Sequence, residues 1–221
     1  MAAAGVRLRP AADDADAAFI VEQMVASALE FAPADQPFGI AETVRRPETA
    51  LRWMESCRGK VQRSRAADAA AHTRLWIAED SEGARLGSIG IQRDQSPDAD
   101  IVDIVSQRLG MTDDTATSSP LPAMGELVSY YVAKEGRGRG VGALLMDTAL
   151  SFARGAGYVA LSLYVFRVLT AAIHVYRRHG FFIALQFYAP GHWDEDNVMV
   201  KLLAETEGPG RQQRIGAKAP L

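Results

Sequence analysis

The sequence contains a single cysteine, Cys57, among its 221 residues. One thiol cannot form an intramolecular disulfide or a cluster of cysteine metal ligands, and no metal site is predicted. No uncharged apolar run of about 18 residues occurs, so no membrane span is predicted. The N-terminal segment has no apolar core, so no secretory signal is predicted. We therefore expect a cytoplasmic protein with no membrane partner.

The sequence also has no excess of basic residues. Its 24 Lys and Arg residues stand against 27 Asp and Glu residues, a formal net charge of −3. A general nucleic-acid binder usually carries a basic surplus, so no nucleic-acid partner is predicted. With 48% apolar and 23% charged residues, the composition is that of an ordinary globular domain. We expect one domain over residues 1–204 and a disordered polar tail over residues 205–221.

Hydrophobic periodicity in the first half predicts strands and helices in alternation. The predicted strands are Val6–Pro10, Arg74–Glu79 and Leu86–Gln92. A helix beginning at Asp13 or Asp14 is expected to bury Phe19, Ile20, Met24, Val25, Ala28 and Leu29. A second helix is expected over Ile40–Cys57 with Val44, Leu51 and Met54 inward, and a short one near Ile101–Leu109. Cys57 is interpreted as a packed helical residue.

The second half has the stronger signals. A strand, Leu127–Val132, leads into a glycine-rich turn and then into a helix with its apolar face at Val141, Leu144, Leu145, Thr148, Ala149 and Phe152. A buried strand is predicted at Tyr158–Phe166 and a helix at Leu169–His179. The last two strands are predicted at Phe181–Tyr188 and Asn197–Leu203. The pattern indicates a mixed α/β fold.

A strand followed by a glycine-rich turn and a helix start is suited to bind an anion, because the free amides point toward the ligand. A P-loop is excluded, since Val141 and Gly142 stand where its Lys and Ser or Thr would be. A dinucleotide fingerprint is partly met by Gly138-x-Gly140-x-x-Ala143, and Arg167 would suit NADP. The carboxylate that this fingerprint expects at the end of the next strand is absent. The third interpretation is a coenzyme A site.

Two motifs in the correct order support the third interpretation. Arg137-x-x-Gly140-x-Gly142 follows a strand that carries Val132 five residues earlier, and Ala172, Tyr176, Gly180 and Phe181 follow at helical offsets. Over about residues 6–203 the chain resembles the GNAT superfamily of N-acetyltransferases. The resemblance implies a mixed, mainly antiparallel sheet, splayed between its fourth and fifth strands and flanked by helices. It also implies acetyl-CoA as the acyl donor and direct transfer to a primary amine in a ternary complex.

The resemblance assigns roles to individual residues. The coenzyme is expected to contact Val132, Ala133, Arg137, Gly138, Arg139, Gly140, Val141, Gly142 and Ala143. The Val132 or Ala133 amide would bind the thioester oxygen, and Tyr176 would protonate the departing sulfur. Glu126 or Tyr130 would be the base. Leu169 replaces an Asn that the family usually has, so a binding protein without catalysis remains a second hypothesis.

The acceptor is expected to be an amine of a small molecule or peptide, and two features bear on its identity. An acidic stretch, which would attract a polycation, contains Asp94, Asp98, Asp100, Asp103, Asp113 and Asp114 against Arg108. An apolar pocket could instead form from Phe31, Phe38, Trp53 and Trp193, and the loop His192–Asp196 could contact the acceptor. A homodimer is compatible with the resemblance.

Overall fold

The computed structural model describes residues 5–31, 46–65, 73–111, 123–167, 169–186 and 196–203. These residues form a seven-stranded sheet in the order β1-β2-β3-β4-β5-β7-β6. Strands are β1 Arg7–Pro10, β2 Arg74–Glu79, β3 Arg85–Arg93, β4 Met124–Val132, β5 Ala160–Phe166, β6 Phe182–Gln186 and β7 Asp196–Leu202. Helices are α1 Asp14–Phe31, α2 Pro47–Arg65, α3 Ala99–Arg108, α4 Val141–Gly155 and α5 Thr170–Arg178, with a 3-10 turn at Lys134–Gly136.

Neighbouring strands are antiparallel except for β4 and β5, which run parallel. The alternation of side chains along β2 distributes the helices over two faces. Leu75 and Ile77 pack with residues of α1 and α2, while Trp76 and Ala78 contact the cluster built around α4. On β7, Met199 joins that α4 cluster and Val198 packs with α3. Helices α1, α2 and α3 therefore cover one face, and α4 and α5 cover the other.

The expectation of a mixed, mainly antiparallel sheet flanked by helices is confirmed. Two predicted core positions are wrong. Leu51 is 65% exposed, because α2 continues to Arg65 and buries Thr49, Cys57, Val61 and Ser64 instead. Leu29 is 39% exposed, because the last turn of α1 borders a cavity rather than the core.

A buried carboxylate joins the start of α1 to the sheet. Asp16 is fully buried and receives two hydrogen bonds from the Arg9 guanidinium, at 2.6 and 2.7 Å. The Arg85 Nε and the Ala12 amide also donate to it, at 2.8 and 2.7 Å. Burial alone would raise the pKa of Asp16, but these donors lower it to about 2. The cluster fixes α1, which forms one wall of the candidate site.

Candidate functional site

The sheet opens between its two parallel strands. Strands β4 and β5 pair only where Met124–Glu126 meets Ala160–Ser162. Beyond Glu126 the two strands separate, so both leave backbone groups facing the gap between them. The splay expected between the fourth and fifth strands is thus confirmed, and it provides a cleft that neither strand fills.

A β-bulge lies at the mouth of this cleft. On β4, Ser129 and Tyr130 together stand opposite the single residue Ile89, since the register passes from Gly90↔Val128 to Ser88↔Tyr131. Ser129 has φ 55°, the one positive φ among the non-glycine residues that the structure describes. The Ser88 hydroxyl donates to the Ser129 carbonyl oxygen at 2.8 Å and holds the bulge. Nothing in the sequence marks Ser129 for this conformation.

The glycine-rich turn beside β4 is built to present backbone amides. Gly138 and Gly140 have φ 73° and 80°, values that other residues rarely adopt. Gly140 is the N-cap of α4, no side chain caps this end, and its first turn has no acidic residue. The amides of Val141, Gly142 and Ala143 therefore have neither an intrahelical acceptor nor a capping side chain. A helix start of this kind favours an anion.

The two arginines of this turn differ in their contacts. The Arg137 guanidinium donates to both carboxylate oxygens of Glu30 at 2.9 Å, and its Nε donates to the Val132 carbonyl oxygen at 3.3 Å. The hydrogen bonds from Arg137 lower the pKa of Glu30. Arg139 is exposed and donates to the Glu135 carbonyl oxygen at 3.3 Å. Of the two, only Arg137 lines a cavity described below.

That cavity, here called the first cavity, lies between the last turns of α1, the end of β4 and α5. It has a volume of about 760 Å³. Its lining includes Leu29, Glu30, Tyr130, Tyr131, Val132, Lys134, Glu135, Arg137, Ala172, Val175 and Tyr176. It reaches the glycine-rich turn through Arg137, the first residue of the turn motif.

A second cavity, of about 450 Å³, lies along the open part of β4 and the end of β5. Glu126 lines it half-buried and accepts a hydrogen bond from the Gln92 Nε2 at 2.6 Å. Its other lining residues include Trp53, Cys57, Lys60, Ser129, Tyr130, Tyr131, Tyr164, Phe166, Leu169 and Tyr176. Leu169 therefore adds apolar surface here, in place of the amide that the resemblance would have supplied.

Three tyrosines, Tyr130, Tyr131 and Tyr176, line both cavities. The ring centroids of Tyr130 and Tyr176 are 5.8 Å apart. The Tyr130 hydroxyl also reaches the start of α4, 2.8 Å from where a Cβ on Gly142 would lie. Burial raises the pKa of Tyr176 and of Tyr131, and raises that of Tyr130 to about 12. All three phenols are therefore protonated at neutral pH and suited to donate a hydrogen bond.

The structure brings five of the site residues predicted from the sequence into the lining of these two cavities. The other predicted residues line neither cavity: Ala133, Gly138, Arg139, Gly140, Val141, Gly142 and Ala143. Glu126, Tyr130 and Tyr176 meet in the second cavity, and Val132 and Arg137 line the first. The Ala133 amide already donates to the Leu86 carbonyl oxygen at 3.0 Å. Because that amide is engaged, Val132 is the remaining candidate of the two predicted amide donors.

Other predictions from the sequence have separate outcomes. Cys57 is buried, as expected of a packed helical residue, and burial raises the pKa of its thiol. None of the acidic residues Asp94, Asp98, Asp100 and Asp103 lines either cavity. Phe38, Val44, Asp113, Asp114, the loop residues 192–195 and the tail 205–221 lie outside the described residues. In the described part of the chain, no helix is long and apolar enough to cross a bilayer.

Comparison with known proteins agrees with this geometry. Residues 45–181 match the family model described as Acetyltransferase (GNAT) family. No curated protein matches the chain significantly.

Several solved structures are similar to this chain in fold. A solved acetyltransferase of the GNAT family from Streptococcus pneumoniae is 19% identical with a TM-score of 0.55, over 90% of this chain and 99% of that one. The PaiA N-acetyltransferase from Thermoplasma acidophilum, solved with coenzyme A, is 15% identical with a TM-score of 0.56, over 89% and 98%. The spermidine/spermine N-acetyltransferase SpeG from Vibrio cholerae is 16% identical with a TM-score of 0.51, over 90% and 94%.

Proposed function

Because this chain belongs to the GNAT acetyltransferase family, whose acetyl donor is acetyl-CoA, we propose that it acetylates a primary amine by direct transfer in a ternary complex. The observation that carries the proposal is the junction of two cavities at Tyr130, Tyr131 and Tyr176. One cavity is lined by Arg137, the first residue of the glycine-rich turn, and the other is lined by the Glu126 carboxylate. Donor and acceptor can therefore meet at the tyrosines from opposite sides.

The first cavity is the proposed coenzyme site. The amides from Gly138 to Ala143 would bind the pyrophosphate, with Arg137 and Arg139 adding positive charge. The pantetheine arm would follow β4 past Val132 into the opening between β4 and β5. This places the thioester beside Tyr176 and the bulge, where an amide of Val132, Ser129 or Tyr130 can bind the carbonyl oxygen as it becomes negative.

Transfer then needs three proton movements, because the acceptor nitrogen loses two protons and the sulfur gains one. Glu126 takes a proton from the acceptor ammonium, directly or through water, because only the neutral amine can attack. The amine nitrogen bonds to the thioester carbon, the carbon–sulfur bond breaks, and the nitrogen loses its second proton to water as the amide forms. Tyr176 gives its proton to the departing thiolate and regains one from the solvent. Of the two base candidates, we favour Glu126, because a phenol with a pKa of about 12 holds its proton at neutral pH.

The proposal is tested by titrating the protein with acetyl-CoA in a calorimeter, with NADPH as the comparison ligand, and then by following thiol release with primary amines. We expect acetyl-CoA to bind and an amine to release the thiol. Binding of NADPH in its place would favour the dinucleotide hypothesis. Acetyl-CoA binding without thiol release for any amine would favour a binding protein.

Glu126→Gln tests the base. We expect kcat to fall about 10²-fold or more with little change in acetyl-CoA affinity, since the amide cannot accept the proton. Glu55→Gln is the matched control, because Glu55 is exposed on α2 and lines neither cavity. An unchanged kcat in Glu126→Gln would remove Glu126 from the mechanism.

A further inference from the structure

The second cavity has a wall of mostly apolar and aromatic side chains. Trp53, Tyr164 and Phe166 line it together with the tyrosines at the junction, and Met24, Leu127, Val128, Val165 and Leu169 complete its apolar surface. Cavities of a few hundred cubic ångströms with such walls bury the apolar body of a small ligand. The acceptor that fits here has an aromatic or branched apolar part.

The charges in the second cavity are few and of opposite sign. Glu126 and Lys60 are the charged residues in its lining, among the residues that the structure describes. A polyamine carries several ammonium groups, and each would need a carboxylate to offset the cost of leaving water. One carboxylate matches one ammonium, so this lining does not suit a polycation.

Lys60 reaches the cavity from α2. Four residues of α2 line the cavity: Ser56, Cys57 and Lys60 lie three, four and seven positions after Trp53. This spacing puts all four on one face of the helix, which forms the wall. Lys60 is half-buried, and within the described ranges it has neither a hydrogen bond nor an ion pair. A half-buried lysine at the wall of a cavity can gain from an anionic group on the ligand.

We propose that the acceptor is an α-amino acid, or a close analogue, with an aromatic or branched apolar side chain. Its ammonium would face Glu126, its carboxylate would face Lys60, and its side chain would pack against Trp53, Tyr164 and Phe166. This inference rests on the proposed function, since it names the acceptor of that same site. It assigns to Lys60 the recognition of the carboxylate, separate from the chemistry at Glu126.

The test compares three acceptors in the thiol-release assay at saturating acetyl-CoA: phenylalanine, phenethylamine and spermidine. Phenethylamine is phenylalanine without its carboxylate. We expect kcat/KM for phenylalanine to exceed that for phenethylamine by about tenfold or more, as for loss of a hydrogen bond to a charged group. Spermidine should be the poorest of the three. Faster turnover of spermidine or phenethylamine would overturn the inference while leaving the proposed acetyl transfer intact.

Lys60→Gln tests whether Lys60 is the residue that recognises the carboxylate of the acceptor. We expect the phenylalanine-to-phenethylamine ratio of kcat/KM to fall toward one in this variant. Arg52→Gln removes one positive charge from an exposed position on the same helix outside the cavity, and should keep the ratio of the unmodified protein. A preserved ratio in Lys60→Gln would contradict the assignment.

A binding measurement separates failure of the inference from failure of the proposed function. The protein saturated with coenzyme A is titrated with phenylalanine and with phenethylamine in a calorimeter. Tighter binding of phenylalanine, lost in Lys60→Gln, supports the acceptor class even if no thiol is released. Equal affinities, or no binding of phenylalanine, would overturn it.

Discussion

The Arg137 guanidinium holds both carboxylate oxygens of Glu30 at 2.9 Å, across the opening of the first cavity. The pair joins the last turn of α1 to the motif arginine that precedes the glycine-rich turn. In the proposed coenzyme site, Glu30 therefore competes for the donors that a phosphate would use. If acetyl-CoA binds as proposed, a phosphate replaces the Glu30 carboxylate at Arg137.

Glu30→Gln should therefore tighten acetyl-CoA binding. The amide removes the competing carboxylate and one negative charge from the phosphate path, and a partly exposed ion pair is worth a factor of about two to five. Calorimetric titration with acetyl-CoA measures the change, and Glu22→Gln, exposed on the same helix and outside both cavities, is the matched control. Weaker binding in Glu30→Gln would show that Glu30 positions Arg137 rather than competing for it.

Gly142→Ala should disturb the Tyr130 hydroxyl, because a Cβ at this position would lie 2.8 Å from that oxygen. We expect a loss of about 1–2 kcal/mol in the free energy of unfolding, the usual cost of a tight contact. In a Tyr130→Phe background the clash disappears, and alanine should be neutral or stabilising in the first helical turn. Urea unfolding of the four proteins of this cycle measures the coupling, and equal effects of alanine in both backgrounds would contradict it.

Tyr176→Phe should lower kcat while leaving the acetyl-CoA affinity nearly unchanged, because it removes a proton donor and keeps the ring packed against Phe181. The loss can reach about 10²-fold if proton transfer to sulfur limits the rate. Tyr158→Phe is the matched control, since Tyr158 is buried but lines neither cavity. Full activity of Tyr176→Phe would leave the tyrosine with a packing role alone.

Asp16→Asn should destabilise the protein by about 3 kcal/mol or more at pH 7, because Arg9 and Arg85 would lose a buried partner. Hydrogen bonds from Arg9, Ala12 and Arg85 outweigh burial and lower the pKa of Asp16 from its ordinary value of 3.8 to about 2. Because this pKa is lowered on folding, the ionised carboxylate stabilises the folded state above pH 3.8. That stabilisation is lost as the pH falls toward 2.

Urea unfolding at pH 7 and at pH 3 measures this dependence. The gap between the unmodified protein and Asp16→Asn should narrow at the lower pH. Asp14→Asn is the control, since Asp14 is exposed and pairs with an exposed Arg58; its effect should stay within about 1 kcal/mol. A gap that does not depend on pH would show that the loss comes from packing rather than from the charge.

Most elements of the fold follow from short-range patterns in the sequence. The strand predicted at Arg74–Glu79 has those bounds in the structure, and the helix that begins after the glycine-rich turn begins at Val141. Helix α2 was placed less well, because its outer positions carry Leu51 while its inner face carries Thr49 and Ser64. Periodicity predicted a helix here but could not identify its buried face, because two of the buried residues, Thr49 and Ser64, are polar.

The candidate site, like the fold, has one part that the sequence predicts and another that it does not. The motif spacing identifies Arg137, Gly140, Gly142 and Tyr176 as candidate site residues, and of these Arg137 and Tyr176 line the first cavity. The partners of these residues could not be predicted, since Glu30 is 107 positions from Arg137 and Gln92 is 34 from Glu126. The bulge at Ser129 depends on how β3 and β4 pair, which no local pattern records.

The sequence by itself determined the family, the sheet with its helices, and the glycine-rich turn that presents free amides, because these depend on residue types at short, fixed spacings. Only the tertiary structure decided which groups meet across the cleft. It paired Arg137 with Glu30, placed Lys60 and Trp53 in the lining of the second cavity, and engaged the Ala133 amide with the Leu86 carbonyl oxygen. Such contacts join residues far apart in the chain, and they are selected by the packing of whole elements rather than by any local preference.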